Sequence, residues 1–564
     1  MSEFVSPQPF VDLHLPDGRV LRGPRGATVE QILQPVLDTH PVPIMAAVVN
    51  GELCELSRTV EIEGKVRLLT LADTDGARIY RRSLTFLLEA AFMKRHPAAT
   101  LHIEHSLTSG GYFCVVRGRD PLRAEELTAL EGEMREMVAA NLPIVRRELP
   151  VEEAIARFEA QHHADKVRLL KHRRKPTVTM YQLGGCTDDR HGYMLPSTRY
   201  LKVFDLTLLA DGFVLRYPRQ HAPDTLTPIG SSPKLLATFQ QHGAWLDRLG
   251  IGSVGALNDA IKAGRSRELI LVSEALHEQT IADIAGRIAQ RGDQAKLVLI
   301  SGPSSSGKTT FSRRLAVQLL TLGLSPFALE LDNYFVDRAE TPRDANGDYD
   351  YETIDALRLA QLGDHLERLL RGEEVQLPRY SFHEGRQLPG EAVKLHPGQL
   401  IILEGIHGLN PRLIPPALAA QSFQIYASAL TQLNLDRHNR ISTTDCRLIR
   451  RIVRDARDRG YTASDTINRW DSVRRGEKLH IFPHQENAQV MFNSALAYEL
   501  SVLRPIAEPL LRLVEPGTPA YLEARRLLTF LEWFSPIMTE WVPDNSILRE
   551  FVGDSILKDF KVWG

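Results

Sequence analysis

The hydrophobic pattern changes period several times along the chain, and each change predicts a different kind of element. From Phe10 to Ala72 apolar and polar residues alternate in short runs: VDLHLPDGRVLRG reads as a hairpin turning at Pro16-Asp17-Gly18, and AAVVNGELCEL as a second hairpin turning at Asn50-Gly51. Between them TVEQILQPVLDTH takes a helical period, with Thr28 placed as its N-cap. The spacing predicts a small α+β unit over residues 1–72. After Asp73, IYRRSLTFLLEAAFMKRHP opens a helix, and the stretch 73–217 mixes strands with helices such as EELTALEGEMREMVAANL. Two amphipathic helical patterns, SSPKLLATFQQHGAWLDRLG and SEALHEQTIADIAGRIAQRGD, read as a helical connector over 218–295. From Lys296 strand and helix patterns alternate: KLVLIS, PFALELD, LIILEG and FQIYASA, each followed by a helix. That order predicts a parallel sheet with helices on both faces over 296–505, with ligands at the carboxyl ends of its strands. The tail 506–564 is apolar and helical in pattern, and its leucine and aromatic stripes either complete the core or join copies of the chain in a homo-oligomer.

The candidate chemistry gathers in the alternating region. Between the run Leu297 to Ile300 and the helical pattern FSRRLAVQLL stands Gly302-Pro303-Ser304-Ser305-Ser306-Gly307-Lys308-Thr309, the spacing GxxxxGK[ST] of a phosphate-binding loop, followed by Thr310. Glycines at those positions let the backbone curl so that successive N–H groups point at a phosphate, where the positive end of the following helix adds to them. Lys308 is placed to bridge the β- and γ-phosphates of ATP, and the Thr309 hydroxyl to hold Mg²⁺. The strand LIILEG delivers Glu404 as a second metal ligand. The strand ALELD, read as the neighbour of the loop-bearing strand, delivers Asp332 as candidate general base and further metal ligand. In RLIRRIVRDARDRG, Arg447, Arg451 and Arg454 recur at helical spacing, with Arg450, Arg457 and Arg459 beside them. Such a face suits a lid that neutralises charge on a transferred phosphoryl group, and an RNA-binding helix is the competing reading.

Composition narrows the setting. The chain has 564 residues, long enough for about three domains. Its 68 basic and 70 acidic residues give no whole-chain case for a nucleic-acid or membrane-surface protein. The basic run from His162 to Pro176 is the one local feature that suggests RNA contact, against the plainer reading of a solvated helix face. Four scattered cysteines, without CxxC pairs, indicate neither a disulfide framework nor a thiolate zinc site. No leader pattern and no bilayer-length apolar run is present, so a cytoplasmic protein is expected.

Five ordered motifs (LDNYF, GDYDYETIDALRL, VQLPRYSFHEGR, LIILEGIHGLN and RLIRRIVRDARDRG) resemble the uridine kinase and phosphoribulokinase family of P-loop kinases. The resemblance implies Asp332 as base, Tyr334 beside the substrate and Asp350 on the ribose hydroxyls. It also implies Tyr380 and Phe382 against the nucleobase with His383 and Arg386 closing the site, and Arg451, Arg454 and Arg459 as lid arginines. Ser381 stands where that family has Asp, and Tyr461 where it often has another arginine. The first unit resembles the β-grasp TGS domain, and the second resembles the editing domain of threonyl- and alanyl-tRNA synthetases. In that editing fold two helix histidines and a later Cys and His bind a metal; here Arg82, Phe86, Arg190 and Met194 occupy those positions, so no editing chemistry is expected. His191, nearby, reads as a loop histidine at the surface. The whole implies an ATP- and Mg²⁺-dependent kinase for the 5′-hydroxyl of a pyrimidine nucleoside, uridine before cytidine. The alternatives are a kinase for another small alcohol such as a sugar phosphate, and an RNA-binding, translation-linked regulator with a nucleotide switch.

Overall fold

The computed structural model describes residues 8–108, 110–344, 347–381, 383–431 and 433–560. The alternating runs at the start of the chain pair into a five-stranded mixed sheet, in the order Val20–Pro24, Phe10–His14, Gly64–Thr70, Ile44–Val49, Glu52–Cys54. Asn50 and Gly51 both take positive φ, 51° and 82°, the conformation that a two-residue hairpin turn demands. Thr28 caps helix Val29–Leu37 by a reciprocal pair of hydrogen bonds: Gln31 N–H donates to its hydroxyl at 3.2 Å and Thr28 N–H donates to the Gln31 side chain at 2.9 Å.

The second unit is built around the long helix Thr74–Arg95, whose apolar residues are buried on nearly every side. It packs against an antiparallel sheet in the order Asp205–Leu209, Gly212–Arg216, Gly111–Arg117, Thr100–Leu107, and against a three-stranded sheet of Cys186–Asp189, Thr177–Leu183 and Ile144–Pro150.

The alternating region forms a five-stranded parallel sheet with Leu297–Ser301 at its centre. Leu400–Glu404 and Ser422–Ser428 flank it, with Pro326–Glu330 and Val490–Asn493 at the two edges. All five residues of the central strand are buried, because helices cover both faces; hence the run of apolar residues without alternation. Two corrections follow. Val490–Asn493 is a fifth strand that the periodicity does not reveal, being four residues long. The strand leading to Asp332 is also one place farther out than expected, since Leu400–Glu404 lies between it and the loop-bearing strand. Periodicity identifies strands but carries no information about their order.

The segment read as a connector is part of this core. Helix Ser266–Arg291, 26 residues long, lies along helix Lys308–Thr321. Arg314 meets Glu274 at 3.3 Å and Glu278 at 2.7 Å, and the Tyr498 hydroxyl donates to Glu274 at 2.7 Å. One apolar cluster runs through Ile281, Ile300, Phe311, Leu503, Leu531 and Phe551, so the tail completes the core.

The N-terminal half is locked to the sheet unit. The Asn434 side chain donates to the carbonyls of Ile103 and Glu104 at 3.1 and 3.0 Å. Lys166 is fully buried, with Asp188 and Asp189 at 2.8 Å and Asp436, from the same loop as Asn434, at 3.1 Å. Part of the basic run makes contacts within the fold, His172 pairing with Asp259 at 2.7 Å, Lys175 with Glu532 at 2.8 Å and Arg173 stacking over Trp533 at 4.8 Å, while Arg168, Lys171 and Arg174 are exposed. Among the described residues no helix is long and apolar enough to cross a membrane.

Candidate active site

The loop 302–309 leaves the central strand and enters helix Lys308–Thr321 through Gly307, at φ 83°, with Ser305 also left-handed at 56°. A Cβ on Gly302 would meet the carbonyl oxygen of Ala427 at 1.9 Å, so the tight approach of the loop to the neighbouring strand requires glycine. Lys308 folds back across the loop, its Nζ donating to the Pro303 carbonyl at 3.1 Å. The Thr309 hydroxyl donates to Glu404 Oε1 at 2.9 Å.

Two carboxylates therefore come to the loop from strand ends. Burial pushes Glu404 up to about 7; Lys308 and the Thr309 hydroxyl draw it down, while Asp332 and Glu330 raise it. Asp332 is exposed yet crowded by protein, and desolvation raises its carboxyl against the pull of Lys308, Arg459 and Arg454. Two mutually repelling carboxylates and a hydroxyl, all hard oxygen donors, fit a divalent cation such as Mg²⁺.

The arginine-rich helix Thr443–Asp458 lies over the loop, and its charges divide into two sets. Arg447 and Arg450 are buried: Arg447 donates to the Ser304 carbonyl at 2.9 Å and pairs with Glu477, and Arg450 donates to the Ser494 carbonyl at 2.9 Å and pairs with Glu499. These two brace the loop rather than face a ligand. Arg451, Arg454 and Arg459 gather on the buried Asp455 at 3.1, 3.1 and 3.4 Å, and Arg451 also reaches the Ser304 hydroxyl at 2.9 Å. Arg457 turns away, donating to the Phe551 carbonyl at 2.7 Å.

The residues expected around the acceptor divide similarly. Asp350 accepts the Glu352 N–H at 3.0 Å. Tyr380 packs its ring 5.7 Å from Phe335, and its N–H donates to the Asn333 side chain at 3.2 Å. Tyr334 is not brought to the cleft: it is fully buried in the apolar core with its hydroxyl on His365 at 3.1 Å. His383 and Arg386 are exposed, Arg386 paired with Glu384 at 2.7 Å, and Phe382 lies outside the described residues.

Three groups were missed from sequence. Glu352, two residues beyond Asp350, is pushed up to about 7 by burial and by Glu477, and feels Arg451 and Lys308. Glu477 accepts the Ser304 N–H at 3.2 Å. Glu550, from the tail, accepts both the Thr310 N–H at 3.2 Å and its hydroxyl at 3.1 Å. Only for Glu352 was there a signal, its place inside the GDYDYETID motif.

The residues at the four positions compared with the editing fold's metal ligands are engaged within the second unit. Arg190 pairs with Glu89 and Asp188 and stacks over Phe86 at 5.0 Å, Arg82 donates to the Tyr193 carbonyl at 2.5 Å, and Met194 is buried. His191 is not a surface residue. It lies edge-on to Trp533 at 4.4 Å, and burial draws it down to about 4.

Residues 297–500, most of the sheet unit, match the Phosphoribulokinase / Uridine kinase family. The N-terminal part matches curated threonine--tRNA ligases. That of Methylococcus capsulatus is 32% identical over 200 residues, 35% of this chain and 31% of the ligase, so the chain spans about a third of the length of the relatives it matches. Among solved structures, a protein provisionally described as a fructose transport system kinase, from Silicibacter, is 19% identical with a TM-score of 0.28, covering 38% of this chain and 98% of that one. A possible uridine kinase from Bacillus stearothermophilus is 18% identical with a TM-score of 0.24, covering 35% and 89%.

Proposed function

We propose that the chain transfers the γ-phosphoryl group of ATP to the 5′-hydroxyl of a pyrimidine nucleoside, uridine in preference to cytidine. The observation that carries this reading is the convergence on one glycine loop of Lys308, the Thr309–Glu404 pair, Asp332 and the arginines gathered on Asp455. Loop N–H groups and Lys308 hold the β- and γ-phosphates. Arg451, Arg454 and Arg459 face the charge that spreads over the transferred group, and Asp332 takes the proton of the attacking hydroxyl. Thr309, Glu404 and Asp332 would hold Mg²⁺, which supplies charge neutralisation on the phosphate oxygens when bound. Tyr380, next to Phe335, offers an aromatic wall for a base, whereas a sugar-phosphate acceptor would call for additional basic side chains there.

The test is incubation of the full chain with Mg-ATP and a panel of nucleosides and sugar alcohols, with products identified by mass. Uridine 5′-monophosphate is expected. Asp332→Asn should lower kcat by about 10²–10⁴-fold, the usual contribution of a general base, and Lys308→Ala by about 10²–10³-fold. Phosphorylation of a sugar alcohol but of no nucleoside would overturn the substrate assignment.

A further inference from the structure

A cavity of about 670 Å³ includes no residue of the phosphate-binding loop, although Arg447, which braces Ser304, is in its lining. Its walls are the helix Thr74–Arg95, the segment 217–220, the start of the arginine-rich helix, the turn around Lys478 and the helix Pro519–Leu531. Eleven arginines and Lys478 are among its lining residues, several of them paired with carboxylates and several not. Arg78 and Arg526 are matched: Arg78 meets Glu523 at 2.7 Å and Asp75 at 2.9 Å, and Arg526 meets Asp445 at 2.8 Å and Glu523 at 2.7 Å.

Arg81, Arg82, Arg440, Arg474 and Lys478 are not matched; among the described residues none of the five makes an ion pair with a carboxylate. Arg81 gives its Nε to the Ala77 carbonyl of its own helix at 3.0 Å and lies 5.5 Å from the Tyr217 ring. Arg440 gives Nη1 to the adjacent Ile441 carbonyl at 2.8 Å and lies 5.2 Å from the Tyr112 ring. The two tyrosine rings meet edge to face at 5.0 Å, which draws the two arginines to one wall. Their mutual proximity shows in the titration of the group. Burial, together with Arg474, Arg219 and Arg81 and against the exposed Asp471, lowers Lys478 to about 8. Burial would raise the Tyr112 phenol, yet Arg81, Arg440 and Arg82 together leave it below its ordinary value.

Elsewhere several buried cations meet carboxylates, Lys166 three aspartates, Arg314 Glu274 and Glu278, Arg447 Glu477 and Arg450 Glu499, while Arg549 meets only backbone carbonyls. Five cations on one cavity without such partners depart from that pattern, and desolvated cations that repel one another call for an anion. Guanidinium forks match phosphate oxygens in particular. We propose that this cavity binds a small molecule carrying a di- or triphosphate group, whose oxygens supply the anionic partners of Arg81, Arg82, Arg440, Arg474 and Lys478. The volume accepts a nucleotide-sized ligand, and Tyr112 and Tyr217 provide aromatic surface beside the charges. The cavity is thus a second anion site, separate from the phosphate-binding loop.

The experiment is calorimetric titration of the full-length Lys308→Ala chain, in which the loop site is weakened, with inorganic tripolyphosphate in one arm and ADP in the other, both without magnesium. One saturable equivalent is expected. Adding Arg81→Gln and Arg474→Gln should weaken it by roughly tenfold or more per guanidinium lost. Tighter binding of ADP would identify a nucleotide as the ligand, and tighter binding of tripolyphosphate a bare polyphosphate; each supports the site. In the absence of ligand the Arg81→Gln/Arg474→Gln chain should melt at the same or a higher temperature than its parent, because repulsion is relieved, whereas a structural role for the two arginines would lower it. No saturable binding of either probe, or binding that the double substitution leaves unchanged, would overturn the proposal.

Discussion

Glu404 offers the most direct access to the loop site, because its carboxyl is poised to titrate near neutral pH. Burial pushes it up to about 7, from the ordinary 4.5 of a glutamate, although Lys308 and the Thr309 hydroxyl favour its ionised form. At pH 7 about half the molecules therefore carry a proton on Glu404, and at pH 8 about a tenth do. A cation held by Thr309, Glu404 and Asp332 requires the ionised form. Loading with magnesium and a non-hydrolysable ATP analogue should then expel about half a proton from this residue at pH 7 and about a tenth at pH 8. Apparent affinity should climb by about tenfold per pH unit below 7 and level off above 8. Calorimetry in buffers of different ionisation enthalpy reads the proton count, and Glu404→Gln, which keeps the shape and an acceptor for Thr309, isolates this residue's share from that of Glu352. The same shift predicts a stability change in the absence of ligand. A carboxyl whose value is raised on folding contributes stability that is fully present below about 4.5 and lost as pH rises through about 7. The total is at most about 3 kcal/mol, so Glu404→Gln should be more stable than its parent at pH 8 by up to that amount, and lose the advantage in acid. Proton release that is identical in parent and Glu404→Gln, or an affinity flat from pH 6 to 8, would refute the reasoning.

The buried lock between the two halves predicts that Lys166→Met, which leaves Asp188, Asp189 and Asp436 without their shared cation, costs about 3–5 kcal/mol in urea unfolding of the full chain; a loss below 1 kcal/mol, on the order of a surface pair, would show the network to be dispensable. Glu550 holds both donors of Thr310, so Glu550→Ala should free them and tighten nucleotide binding by roughly tenfold, and weaker binding instead would mean that the tail supports the loop. Because Tyr334 lies in the core on His365, Tyr334→Phe should cost about 1 kcal/mol of stability and leave KM for the acceptor unchanged; a raised KM would restore it to the substrate site.

What the sequence made legible follows from where the information resides. The loop was readable because its spacing is its geometry: Gly307 at positive φ, Lys308 and Thr309 at the helix start are all adjacent in the chain. The place of Glu404 beside Thr309 was readable because it stands at the end of an apolar run that reads as a strand. The strand order was not, since nothing in an apolar run states its neighbour. The arginine helix was read as a single cationic face, yet the partners that bury Arg447 and Arg450, Glu477 and Glu499, lie 30 and 49 residues downstream. Helical spacing shows which side chains share a face but not which of them meet a carboxylate from another element. In the basic run after His162, likewise, the partners of His172 and Lys175, Asp259 and Glu532, are distant in sequence.

That helix joins the N-terminal half, the loop and the tail through contacts along its length. Its first turn carries Asp445, clamped by Arg526 at 2.8 Å against the cationic cavity; its middle carries Arg447 and Arg451, which hold the Ser304 carbonyl and hydroxyl; its end carries Arg457, tied to the tail at Phe551. A rigid helix transmits a shift at one end to the other, because packed cores move between discrete arrangements rather than deforming continuously. Arg447 and Arg451 reach the same residue of the phosphate-binding loop, so a displacement of about 1 Å at Asp445 would break hydrogen bonds at Ser304, whose tolerance in length is only a few tenths of an ångström. Arg78 of the second unit joins Glu523 at 2.7 Å beside Arg526, so a contact of that unit adjoins the end of the helix whose middle meets Ser304.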